Sequence, residues 1–101
     1  MSILGQSDVP ASTNTSVATM AAAATVNVLL ANRTASPISV SIAVVPSGTG
    51  SPANQHWVVY QQPLDGNQML EKGGIPLLTG DQVFVYTGAV GISASVIGLM
   101  I

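Results

Sequence analysis

Few side chains in this sequence are able to do chemistry: one histidine (His56), four carboxylates (Asp8, Asp65, Glu71, Asp81), two cations (Arg33, Lys72) and no cysteine. A metal site needs clustered His, Cys, Asp or Glu, and no carboxylate keeps ligand spacing with His56. Serines are plentiful, but no G-x-S-x-G elbow or comparable context accompanies the histidine, so a Ser-His-Asp triad has no local support. Asp65 and Glu71 are a conceivable acid/base pair. However, Asp65 opens an Asp-Gly turn, where its side chain is expected to bond the local backbone. "GTG" at Gly48–Gly50 and "KGG" at Lys72–Gly74 are too short to cradle a phosphate and read as turns. The expectation is a non-enzymatic protein with no catalytic residues, no metal and no cofactor.

Composition supports that expectation. The chain of 101 residues is 48% hydrophobic and only 6% charged, with a formal net charge of −2. Typical soluble domains carry about 25% charged residues, and a mixed charged surface keeps monomers apart. A surface built mainly from Ser, Thr, Asn and Gln suits a protein covered by partners, so an obligate oligomer or assembly component is expected. Two basic residues cannot make a nucleic-acid footprint, so no nucleic-acid partner is expected. The first residues lack a signal peptide's positive n-region and continuous apolar run. The most apolar stretch, Val17–Ala31, is interrupted by Thr19, Thr25 and Asn27, and a membrane span needs about 18 or more apolar residues. No membrane partner is expected, and the chain is expected to be made in the cytoplasm.

The elements that would position these residues read as strands. Met1–Thr15 is polar and is expected to be an extended N-terminal arm, anchored on a neighbour by Ile3, Leu4 and Val9. Ser16–Met20 reads as a short strand, and "MAAAATV" as a small-residue turn leading into the next. "VNVLLANRTASPISVSIAVV", Val26–Val45, reads as a hairpin. Val26, Val28 and Leu30, then Ile38, Val40, Ile42 and Val44, form its inner face. Pro37 sits where a strand begins without donating a hydrogen bond. "QHWVVYQQ" reads as a strand on which period two sends Trp57 inward and Tyr60 to the opposite face. "NQMLEKG" is a strand ended by Gly73-Gly74, and Gln82 to the C-terminus reads as a second hairpin. The sum is seven or eight short strands spaced by Gly, Pro and Asn. This predicts an all-β antiparallel sandwich, jelly-roll-like or Ig-like, over residues 16–101 behind an arm over residues 1–15. Leu29, Ile97 and Leu99 fall on outer strand faces, where exposed aliphatic residues need a cover.

The order of segments resembles a group of small bacteriophage virion proteins. The resemblance lies in "ATVNVLLANRTASPISVSIAVVPSG" followed by "HWVVYQQPLDGNQMLEKGGIPLLTGDQVFVYTGAVGISASVIGLMI". In such proteins a valine-rich strand ends in Asn-Arg, and a Ser/Ala-Pro turn leads to a "VSIAV"-like strand. An "L-x-x-N-x-x-L-E-x-x-G" passage and a "G-D/E-x-V-x-V" strand follow later; here these are Leu64–Gly73 and Gly80–Val85. The resemblance implies a β-sandwich that assembles as a homotrimer on the virion, as a head decoration (cement) protein binding the major capsid protein. On that reading Ile3, Leu4 and Val9 contact the capsid, and Leu29, Ile97 and Leu99 close the trimer. The alternative is a tail or collar fibre module that binds a host receptor or glycan, with His56, Trp57 and Tyr60 as contacts.

Overall fold

The computed structural model describes residues 2–100. Met1 and Ile101, the ends of the expected arm and of the expected last strand, lie outside the described residues. Eight strands form: β1 Ser2–Val9, β2 Thr15–Thr19, β3 Ala24–Asn32, β4 Ile38–Val45, β5 Trp57–Leu64, β6 Met69–Leu77, β7 Gln82–Thr87 and β8 Ile92–Met100. A single 3₁₀ turn, Asn54–His56, precedes β5.

The strands make two four-stranded sheets, ordered β1-β8-β3-β6 and β2-β7-β4-β5. Every pairing between these strands is antiparallel, and β1 pairs β8, β2 pairs β7, β3 pairs β6 and β4 pairs β5. Those nested pairs are what results when one long hairpin, with its tip between β4 and β5, is rolled into two facing sheets. The architecture is the jelly roll, and the Ig-like alternative is set aside because its sheets divide the chain differently.

Rolling the hairpin explains where period-two alternation leads. Val26, Val28 and Leu30 of β3, Val40 and Ile42 of β4, Val83 and Val85 of β7, and Ile92 and Val96 of β8 are fully buried in one core. Ile38 is buried with them, and Val44 packs against them from a half-buried position. The inner face expected for Val26–Val45 is therefore in place.

The pairing of that segment is not as expected. β3 pairs with β6 and β8, whereas β4 pairs with β5 and β7, so the two halves of the anticipated hairpin lie in opposite sheets. The second anticipated hairpin, β7 and β8, is divided in the same way. Both links are corners that carry the chain across the core. Asn32 builds the first corner. Buried at the end of β3, it donates through Nδ2 to the carbonyls of Ser36 (2.8 Å) and Leu64 (3.0 Å). Its Oδ1 accepts from the Thr34 amide and hydroxyl at 2.9 and 2.7 Å. One amide side chain thus satisfies a turn that the sheet ladder cannot reach.

Two further expectations are corrected. The N-terminal segment is no free arm, because Ser2–Val9 is an edge strand laddered to β8. Its polarity is that of an edge strand with one wet face. It sits tightly against β2, since a Cβ on Gly5 would clash with the Val17 carbonyl oxygen. The strand over "NQMLEKG" also does not stop at Gly73-Gly74. β6 continues to Leu77 through a bulge, with Gly74 at φ 70 and its amide donating to Asn27 Oδ1 at 3.1 Å.

Candidate functional site

Each sheet has an outer face, and the two are finished in different ways. On the β2-β7-β4-β5 sheet, Ala43, Val45 and Phe84 point away from the main core yet are buried, with Trp57 packed against them as a second small cluster. The chain supplies cover here through Trp57 at the start of β5, and the 3₁₀ turn just before it, in the link between β4 and β5, contacts β4. Asp81 ties this link to the sheet, accepting from the Ser47 amide at 3.0 Å and the Leu78 amide at 2.9 Å. His56 tightens the link, its Nδ1 accepting from the Ala53 amide at 2.8 Å.

Trp57 is thus on the outer face and not in the main core, contrary to expectation. The cause is a bulge in β5. Ala43 and Ile42 are adjacent on β4, but their partners Trp57 and Val59 are two apart, so Val58 is an extra residue. Val59 takes the inner position and packs on the core. The slip also brings Tyr60 to the same side as Trp57. Their rings meet edge to face, with centroids 5.7 Å apart and planes at 62°. A second irregularity follows, with Gln61 at φ 49 and its amide donating to the buried Ser41 hydroxyl at 2.9 Å. Asn54, Trp57 and Tyr60 line an open depression of about 410 Å³. Of the three expected contact residues, Trp57 and Tyr60 are brought together there, while His56 turns back into the link.

Trp57 packs over the outer face of the β2-β7-β4-β5 sheet, whereas none of the described residues packs in that way over the outer face of the β1-β8-β3-β6 sheet. Cross-strand register sets it out in rows: Leu99 beside Thr25; Ile3, Ile97 and Asn27; Gln6, Ser95, Leu29 and Glu71; Asp8, Ser93, Ala31 and Met69. Leu29, Ile97 and Leu99 do share one face, as the sequence suggested, and Ile3 and Met69 join them. Ile3, Met69 and Leu99 are 64%, 61% and 62% exposed, while Leu29 and Ile97 are half-buried. The face's charged groups stand on its two edge strands: Asp8 on β1, paired with Arg33, and Glu71 on β6.

The other residues expected to touch a capsid fare differently. Leu4 packs against the main core from a half-buried position, and Val9 is 1% exposed inside it, so Val9 is a packing residue that cannot reach a partner. Ile3 alone of the three is free to do so. Met69, Asn54 and the burying of Phe84 escaped sequence reasoning. Only the strand pairing places Met69 beside Ala31, and only the β5 bulge gathers Asn54 with the aromatic pair.

Among the described residues no group of three His, Cys, Asp or Glu side chains is placed to hold a metal ion. Asp65 serves its turn through its backbone carbonyl, which accepts from the Gln68 amide at 3.2 Å and from Asn32 Nδ2 at 3.3 Å. No helix among the described residues is long and apolar enough to cross a membrane. Comparison with protein-family models, with curated proteins and with solved structures gave no match.

Proposed function

We propose that this protein is a bacteriophage virion structural protein, a head decoration (cement) protein that binds the assembled capsid as a homotrimer. The observation that carries the reading is the outer face of the β1-β8-β3-β6 sheet, where Ile3, Leu29, Met69, Ile97 and Leu99 share one side with Thr, Asn, Ser and Ala neighbours and the charged Asp8 and Glu71 stand on the edge strands. A patch of that kind on a chain with 6% charged residues favours burial against protein over exposure to water. The number three, the virion location and the capsid partner come from the resemblance described above; the fold by itself hosts many functions.

In this reading the apolar face closes the trimer by removing its aliphatic side chains from water. Three linked copies then bind a coat lattice more tightly than one, because the second and third contacts are made at high effective concentration. Contact with the coat falls to the exposed turn that follows β1, Pro10 to Asn14, in place of a free arm. Sedimentation of the purified protein tests the trimer, and copy number on purified particles tests the location. A trimer present at a copy number matching the coat lattice is expected. A monomer would overturn the assembly reading, and a copy number far below the coat lattice would assign the chain to a tail or collar fibre instead.

A further inference from the structure

We infer that the depression lined by Asn54, Trp57 and Tyr60 is a binding subsite for a neutral pyranose sugar. It goes beyond the assembly reading, because it lies on the opposite outer face of the sandwich from the patch proposed to close the trimer.

Three observations carry it. First, the chain departs from a regular ladder to make the site. The Val58 bulge puts Trp57 and Tyr60 on one side of a strand that would otherwise separate them, and the left-handed Gln61 (φ 49) directly after Tyr60 is a second costly feature. Glutamine has no special tolerance for that backbone region, so the conformation is imposed by its surroundings, including the Ser41 hydroxyl that receives the Gln61 amide. Second, the two rings differ in burial. Trp57 is held from below by Ala43, Val45 and Phe84, whereas Tyr60 stands 64% exposed against it. A fixed indole with a phenol set edge-on forms an L-shaped apolar wall with a hydroxyl at its rim. Third, the lining carries no charge, and the Asn54 amide provides both donors and an acceptor.

That combination selects a ligand with an apolar face and a rim of neutral hydroxyls. A pyranose fits, since its axial C–H bonds pack on an aromatic ring while its equatorial hydroxyls bond to amide and phenol groups. A flat apolar ligand would leave the Asn54 amide unpartnered, and an anionic sugar would meet no cation. The depression is shallow and open, so a single subsite binds weakly, and useful affinity depends on several copies being displayed together.

Trp57 is the chain's single tryptophan, so its fluorescence reports on this site directly. The test is titration of the full-length protein with glucose, galactose, N-acetylglucosamine and lactose, with glucuronate as the anionic control. At least one neutral sugar is expected to give a saturable shift in Trp57 emission, with glucuronate giving none. Tyr60→Ala is expected to weaken binding at least tenfold with an unchanged circular dichroism spectrum, and Tyr60→Phe to weaken it less. Tyr60 is exposed, so loss of binding without loss of fold separates a contact from a structural role. Absence of a saturable shift with every neutral sugar overturns the inference, as does equal affinity of Tyr60→Ala or equal binding of glucuronate. Sedimentation of the same samples reports the assembly state, so failure of the sugar site and failure of the trimer are read separately.

Discussion

The two outer faces of this sandwich begin from similar raw material and end differently. Both carry aliphatic or aromatic residues at positions that alternate with the core. On the β2-β7-β4-β5 sheet these residues, Ala43, Val45 and Phe84, are buried, with Trp57 packed against them. On the β1-β8-β3-β6 sheet Ile3, Met69 and Leu99 stay more than half exposed. The difference follows from connectivity. The link between β4 and β5 is the long one, running from Pro46 to His56, whereas the turn from β5 to β6 spans only Asp65 to Gln68. An apolar outer face is therefore no sign of an interface by itself.

The largest way to break this comparison is to empty the covered face. Phe84→Ala is expected to cost about 3–5 kcal/mol of stability, read from the denaturant midpoint of the purified protein. A loss near zero would mean that Phe84 and Trp57 do not form a packed second cluster. Asn32→Ala should come next, at about 1–3 kcal/mol, because it strands the buried Leu64 carbonyl and unpins the corner between β3 and β4. Circular dichroism melts would show it.

The bare face should respond in the opposite sense. Ile97→Asp is expected to leave monomer stability within about 1 kcal/mol of wild type while converting the proposed trimer to monomers in sedimentation. A charge there that leaves the assembly intact would remove Ile97 from the interface. The same substitution unfolding the chain would show that this face is as structural as its opposite. The smallest effect belongs to the charged rim: Arg33→Ala removes the ion pair with Asp8, whose side chains are 50% and 76% exposed, and should cost less than about 1 kcal/mol. A larger loss would mean that the pair braces β1 against the corner after β3.

Much of the strand content was legible because alternation reports burial residue by residue. Val26, Val28 and Leu30 read as inward and are inward. Leu29, Ile97 and Leu99 read as co-facial outer residues, and the register between β3 and β8 places them on one face. The aromatic strand was misread where the pattern has a slip. A bulge at Val58 adds one residue, and from there period two assigns Trp57 and Tyr60 to opposite sides when they share one. The N-terminal segment was misread for a different reason. An edge strand with one wet face has too few apolar residues to be told from a disordered arm, and its ladder to β8 is formed by backbone groups that leave no trace in composition.

By itself, then, the sequence determined the class: strands, their inner faces, a surface poor in charge and a chain poor in reactive groups. Each of these depends on the side chain's own chemistry and on a strand's period of two. Tertiary structure alone decided which strands pair, which outer face the chain covers and which aromatic rings meet. Any strand with one apolar face can ladder against any other, because backbone hydrogen bonds are the same at every residue. The choice among pairings is made by corners such as the one Asn32 holds, by link lengths and by a single inserted residue, and these act only once the two sheets have closed on a common core.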